Sequence, residues 1–298
     1  MTTTSAPQKL LTDPPDPNPR KPALVLPPGS WDCLIHVYGP MEDYPFHPGC
    51  PYRSAPVLPE TFIRQMKILG LEKAVIANGA GYGSDSRYLL ETLEKYPKTF
   101  RGVTYVDDDV SPARLNELRR KGVLGARFAG GPAYPHLPKI TQQMARRLAD
   151  ADMHVEFLTF TPGGMAEEKE LFLSLPNDRI VIDHFGRLDA TKGLDQPGFT
   201  ALLELLDTGR VWLKMSNPAF CTKEDYPYAP VLPFARTLVR HAPERLLWGS
   251  NWPHVMRNGR IMPNDGDLID LIGEWIPSEE DRLRIMSVNP DMVYGDGR

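Results

Sequence analysis

Three kinds of reactive side chain stand where short apolar runs of this chain give way to polar residues. His36 follows Trp31-Asp32-Cys33-Leu34-Ile35, Arg127 follows Gly125-Ala126, His184 and Arg187 follow Ile180-Val181-Ile182-Asp183, and Asn251 and His254 follow Leu246-Leu247-Trp248-Gly249-Ser250. An imidazole exchanges protons near neutral pH. A guanidinium presents a planar fork to a carboxylate or carbonyl. A carboxamide can hold a water or a carbonyl oxygen by hydrogen bonds, but it has no basic site at neutral pH. At strand ends such groups suit the binding of an anion or a carbonyl, with an imidazole able to exchange a proton there. Tyr82, in the stretch Asn78-Gly79-Ala80-Gly81-Tyr82-Gly83-Ser84-Asp85, adds a phenol able to donate to a substrate.

The elements that must bring these residues together are read from periodicity. Short apolar, often β-branched runs predict strands at 31–37, 73–79, 102–106, 124–129, 154–159, 179–184, 211–216 and 245–250. The runs are continuous rather than alternating, the pattern of parallel strands covered on both faces. Helical spacing falls between them. Phe62, Met66 and Leu69 share one face, and Ile140, Met144 and Leu148 another. Ser111-Pro112 reads as an N-cap and first-turn proline with Leu115 and Leu118 inward, and Ser278 with Asp281 resembles a capping box. Eight strand–helix units in about 260 residues predict a single (β/α)8 TIM-type barrel over 30–298. An open doubly wound sheet competes, but no glycine-rich phosphate turn follows the first run.

Reactive residues of a (β/α)8 barrel sit at the carboxyl ends of its strands, which is where His36, Arg127, His184, Arg187, Asn251 and His254 fall. Each also has a plain structural reading. Either arginine could pair with a helix carboxylate, and Asp32 and Asp183 could serve only as hydrogen-bond acceptors. Lys214 is expected to face outward or pair with a carboxylate. His154, at the start of its strand, is expected to be structural, while Glu156 could point inward. His47, His136 and His241 are given no chemistry.

Residues 1–29 are rich in proline and lack periodicity, the pattern of an extended arm, either solvated or laid over a neighbouring subunit. The 298 residues are 41% hydrophobic and 24% charged, with a formal net charge of -4. That balance offers no basic field for nucleic acid and no polybasic membrane patch. No apolar run reaches the roughly 18 residues of a membrane span, and no secretory signal is recognised at the start. Cys33, Cys50 and Cys221 form no disulfide pattern, so a cytoplasmic, reducing compartment is expected.

Several segments, in order, carry a resemblance: Trp31 to Gly39, Gly81 to Leu89, Arg101-Gly102-Val103, Gly125-Ala126-Arg127-Phe128, Asp183-His184-Phe185-Gly186-Arg187 and Leu247-Trp248-Gly249-Ser250-Asn251-Trp252-Pro253-His254. Over 30–294 the chain resembles the amidohydrolase superfamily, in the branch of 2-pyrone-4,6-dicarboxylate hydrolases, lactone hydrolases and sugar-lactone isomerases. Metal-dependent members begin with His-x-His on the first strand. Here the first of those positions is Leu34, and His36 remains. The family aspartate before Trp-Pro-His, which activates water, is here Asn251. Leucine cannot bind a metal and a neutral amide binds zinc poorly, so no catalytic metal and no cofactor is expected. The resemblance also implies arginines that hold carboxylates. Arg127 and Arg187 match two such positions, but the further basic residue expected after Arg127 is missing, as is an arginine after Ser216. A substrate with one carboxylate, or a more apolar one lined by Phe157, Phe160 and Phe220, fits better than a dicarboxylate.

The expected activity is therefore metal-independent hydrolysis of a lactone, pyrone or related cyclic carbonyl compound by a monomer or homodimer. His36, His184, Asn251 and His254 are the expected catalytic residues. Protonated His184 or His36 would act with Arg127 on the oxyanion, while Tyr82, Arg127 and Arg187 bind substrate. The alternatives are a non-hydrolytic isomerase or cyclase on the same scaffold, and a ligand-binding pseudoenzyme.

Overall fold

A computed structural model describes residues 12–130, 134–161, 164–257 and 259–295. Eight parallel strands form one sheet in sequence order: β1 (Trp31–Ile35), β2 (Lys73–Ala77), β3 (Phe100–Thr104), β4 (Val123–Ala129), β5 (His154–Leu158), β6 (Ile180–Ile182), β7 (Val211–Ser216) and β8 (Leu246–Gly249). The sheet curls into a barrel. Beyond β8 the Asn251 amide donates to the Leu34 carbonyl (2.9 Å) and the His36 amide to the Trp252 carbonyl (2.7 Å), which join it to β1. Gly249 permits this approach, since a Cβ there would stand 2.7 Å from that of Leu34.

Helices α1 (Pro59–Leu69), α2 (Arg87–Lys95), α3 (Pro112–Arg120), α4 (Gln142–Asp150), α5 (Met165–Ser174), α6 (Pro197–Asp207), α7 (Leu232–His241) and α8 (Asp265–Trp275) follow the strands in turn. Their apolar stripes pack on the outer face of the sheet: Phe62, Met66 and Leu69 from α1, Leu115 and Leu118 from α3, and Met144 and Leu148 from α4 are all buried. The expected caps form. Ser111 accepts from the Arg114 amide and Ser278 from the Asp281 amide, each worth on the order of 1 kcal/mol. The single barrel domain is thus the observed fold. β6 is shorter than its apolar run because the chain turns sharply at His184, where φ becomes positive. Among the described residues no helix is long and apolar enough to cross a membrane.

Residues 12–29 lie on their own barrel. The Thr12 hydroxyl donates to the Arg53 carbonyl (2.5 Å), Gln65 to the Asp16 carbonyl (2.9 Å), and Arg20 to Asp267 and Asp270 (2.5 Å each). At the start of α8, Gly266 sits so close that a Cβ would meet the Arg20 carbonyl at 2.1 Å. Residues 1–11 fall outside the described residues.

The lower barrel is filled by an apolar group that includes Cys33, Val75, Val103, Leu124, Val181 and Tyr294. Above it the filling is ionic. Lys214 points inward and pairs with Glu156 and, at 3.3 Å, with Asp183. Arg127 reaches Asp183 at 2.5 Å and Glu156 at 3.3 Å. All four side chains are buried. Burial alone would raise the Asp183 carboxyl, but Lys214 and Arg127 hold it well below the usual carboxylate range. Burial likewise opposes the Lys214 charge, and Asp183 and Glu156 overcome it, keeping the ammonium above its ordinary pKa. Two cations and two anions thus balance. Removing one member leaves an uncompensated buried charge, so Lys214→Met is expected to cost about 3–5 kcal/mol, measured as a lower urea midpoint with the denaturant slope unchanged.

Candidate active site

A small chamber lies at the carboxyl ends of the strands. Its polar lining comes from His36 after β1, Tyr52 in the β1–α1 loop, Arg127 on β4, Tyr134 after β4, His184 after β6 and Asn251 after β8. Phe160, Phe220 and Met256 are among its apolar walls.

Residues at and beside the chamber sit in backbone conformations that L-amino acids avoid. His184 (φ 53°), Arg187 (51°), Asn251 (68°) and His254 (59°) are all left-handed. Such positions cost about 1–3 kcal/mol each and persist only where surroundings impose them. Local bonds do so here. The Asn251 amide is held by Leu34, the His254 amide donates to the Asn251 carbonyl (2.8 Å), and the His184 amide donates to Ser216 Oγ (3.2 Å).

Burial and the neighbouring Arg127 depress His36 to a pKa of about 4. Burial, reinforced by Arg127 and Arg187 against the opposing pull of Asp183, takes His184 well below its ordinary value. Both imidazoles are therefore neutral at pH 7, which corrects the expectation of a protonated one. Their hydrogen bonds assign different tautomers. His36 Nδ1 is 2.7 Å from the Ala77 carbonyl, which can only accept, so Nδ1 carries the proton and Nε2 is a bare acceptor. His184 Nδ1 is 2.9 Å from Ser216 Oγ. That oxygen accepts from the His184 amide, and when its hydroxyl proton turns to Nδ1 the hydrogen of His184 sits on Nε2, free to donate. One ring accepts and the other donates.

The structure brings His36, Arg127, His184 and Asn251 to one chamber; Tyr82, His254 and Arg187 do not line it. The Tyr82 hydroxyl accepts from the Gly39 amide (2.9 Å), and its ring packs against Tyr38, 5.7 Å between centroids. His254 Nε2 pairs with Asp265 at 2.9 Å, both buried. Arg187 lies across the chamber wall, its guanidinium 4.4 Å from the Phe160 ring centre and 4.3 Å from that of Phe220. Arg127 is held by strand carboxylates rather than helix ones. Asp32 accepts from the amides of Leu34 and Ser250 (3.0 Å each), tying β1 to β8, and burial raises it to about 7. His154 packs edge-on to Tyr294 inside the barrel, the structural place expected of it.

Sequence reasoning did not single out Tyr52 or Tyr134; it places Ser216 among the polar strand-end residues but gives it no role. The Tyr52 oxygen is 3.0 Å from that of Tyr38 and accepts from the Gly81 amide at 3.3 Å. Both tyrosines lie in long loops without periodicity.

A divalent metal does not fit this donor set. Leu34 stands beside His36, Asn251 offers only a neutral amide, and the nearest carboxylates, Asp183 and Glu156, are committed to Arg127 and Lys214. Among the described residues no group of three or more His, Cys, Asp or Glu is placed to hold a metal. Catalytic zinc ordinarily takes three such ligands.

This barrel and site are those of an amidohydrolase-type protein. The Amidohydrolase family profile matches residues 31–295, and the chain belongs to that family. It is 34% identical over 278 residues to a 4-sulfomuconolactone hydrolase of Hydrogenophaga intermedia, covering 91% of this chain and 90% of that protein. It is 32% identical over 288 residues to a 2-pyrone-4,6-dicarboxylate hydrolase of Comamonas testosteroni (93% of each chain) and 30% identical over 282 residues to a D-galactarolactone isomerase of Agrobacterium fabrum (93% of each). A solved apo protein from Agrobacterium tumefaciens superposes with a TM-score of 0.80 at 29% identity, covering 92% of this chain and 98% of that one.

A carboxylate at position 251 would change the electrostatics in a measurable direction. A negative charge in the chamber favours imidazolium, so Asn251→Asp is expected to raise the His36 pKa above about 4. Histidine NMR titration of both proteins checks this.

Proposed function

We propose that this protein hydrolyses a lactone, pyrone or related cyclic carbonyl compound without a metal. The observation that carries the reading is the convergence of His36, whose Nε2 is left free to accept, with His184, Arg127 and Asn251 on one chamber. The lactone hydrolases among the relatives support the substrate class.

Asn251 and the bare Nε2 of His36 hold the attacking water. As the water oxygen adds to the carbonyl carbon, its proton passes to His36 Nε2. The carbonyl oxygen becomes an oxyanion facing His184 Nε2–H and Arg127, donors that need no reorganisation in a dry pocket. The tetrahedral species then expels the ring oxygen, which takes the proton back from His36. Burial that keeps His36 unprotonated also makes it a weak base. The Asp183 and Glu156 carboxylates offset this as its charge develops. Tyr52, rather than Tyr82, supplies a phenol at the chamber wall, and Arg187 takes an anionic group of the substrate. His254, through its amide, fixes Asn251. Leu34 and Asn251, in place of family ligands, support metal independence, and three buried free thiols suit a reducing cytoplasm.

Asn251 also favours a second reading. Without a carboxylate to activate water, the same histidines could move a proton within the substrate, as an isomerase needs, and an isomerase is among the relatives.

Turnover in ¹⁸O-labelled water separates the two: hydrolysis places the label in the new carboxylate, and its absence from the product sinks the hydrolase. A chelator is expected to leave kcat/KM unchanged. His36→Asn is expected to lose about 10²–10⁴-fold in kcat. Because His36 must be unprotonated, kcat/KM is expected to stay level above pH 5 and to fall as pH drops through about 4.

A further inference from the structure

We propose that Asp265 is a positioning residue for the reaction and that the N-terminal arm fixes it in place: Asp265 anchors His254, His254 fixes Asn251, and residues 12–29 seat the helix turn that carries Asp265. The proposal rests on the hydrolase reading, in which Asn251 holds the attacking water.

Asn251 begins a tight turn, residues 251–254, that leads the chain away from β8. The His254 amide closes it by donating to the Asn251 carbonyl (2.8 Å), and both end residues are left-handed. Such backbone persists only where surroundings impose it. β1 and the residue after it hold the near end, through the Leu34 carbonyl and the His36 amide. The far end is held by the His254 ring, whose Nε2 lies 2.9 Å from Asp265 Oδ1, both side chains buried. Among the described residues the Asp265 side chain has no other hydrogen-bond or ion-pair partner, and its Oδ2 is buried without one. A buried carboxylate oxygen left unpaired costs stability. The start of α8 does not call for this group, since Asn264 already caps the helix by accepting from the Gly266 amide (3.0 Å). What the carboxylate does here is hold His254.

The arm packs on the turn that carries Asp265. Asn264 Oδ1 also accepts from the Arg20 amide (3.0 Å), and Asn264 Nδ2 donates to Asp16 (2.8 Å). Arg20 reaches Asp267 and Asp270, and the Leu24 amide donates to Asp270 (2.8 Å). Gly266, next to Asp265, lies against the Arg20 carbonyl with no room for a Cβ between them. The half-exposed ion pairs of Arg20 add little by themselves; the shared cap and the backbone contact fix the seat. Helix cap, first turn and arm thus form one unit, from which Asp265 reaches His254. Direct contacts then run from the arm through α8 and His254 to Asn251, so a displaced arm is felt at the chamber.

The test uses the full chain and a neutral five-membered lactone as probe. Asp265→Asn keeps the size of the side chain and is expected to lower kcat about ten- to a hundredfold while KM changes by less than about twofold. Gly266→Ala is expected to lower kcat in the same direction, although alanine is the better helix residue, because its Cβ displaces the arm. A merely structural role would lower the urea midpoint of both variants and leave kcat where it is. A wild-type kcat in Asp265→Asn therefore overturns the proposal while leaving hydrolysis intact. Nitrogen-15 spectra read the same link without turnover. The Asn251 carboxamide resonances, identified by their loss in Asn251→Ala, are expected to shift in Asp265→Asn and in Gly266→Ala. If no lactone is turned over, those shifts uphold the positioning role and only the hydrolase reading fails. Unmoved carboxamide resonances in Asp265→Asn overturn the positioning role, and unmoved ones in Gly266→Ala overturn the part given to the arm.

Discussion

The ionic set of Arg127, Glu156, Asp183 and Lys214 is the constraint on which the rest of the site depends. Four buried charges from β4, β5, the end of β6 and β7 meet inside the barrel. Buried ion pairs bring little net stability compared with well-packed apolar residues. Their consequence here is positional and electrostatic. They fix Asp183, and so the point where β6 turns into the left-handed His184–Arg187 segment. Arg127, facing the chamber from within the set, helps burial keep both histidines unprotonated.

Two neutral imidazoles of opposite polarity follow from that field together with two local bonds. The Ala77 carbonyl accepts from His36 Nδ1–H, and a Ser216 hydroxyl turned to His184 Nδ1 leaves that ring's proton on the other nitrogen. Left-handed backbone at His184, Asn251 and His254 adds strain, repaid by hydrogen bonds that tolerate little displacement. A site built this way is preorganised. Its donors and acceptors are aimed before a substrate arrives, which is how electrostatic stabilisation gains its effect.

Membership of the amidohydrolase family sets these features against a metal-using background. The resemblance read from the sequence places Leu34 and Asn251 at ligand positions of metal-dependent members, and Asp183 and Glu156 near the chamber are taken up by Arg127 and Lys214. The function proposed above accordingly relies on imidazole, amide and guanidinium groups.

Much of the architecture was legible in the sequence. Continuous apolar runs give parallel strands because both faces of such a sheet are covered, and spacings such as Phe62, Met66 and Leu69 give helices that cover it. Residues at the ends of those runs, His36, Arg127, His184 and Asn251, necessarily meet at one rim once the barrel closes. What the sequence could not decide was each side chain's partner. Lys214 faces inward because Glu156 and Asp183, 58 and 31 residues earlier in the chain, face it across the barrel. Tyr52 rather than Tyr82 reaches the chamber because an aperiodic loop folds back over the mouth. The protonation of the histidines and the isolation of Arg187 between two phenyl rings depend on desolvation and on contacts between distant segments. Local pattern determines which elements form and which way they run; only their packing determines the dielectric and the company each charge keeps.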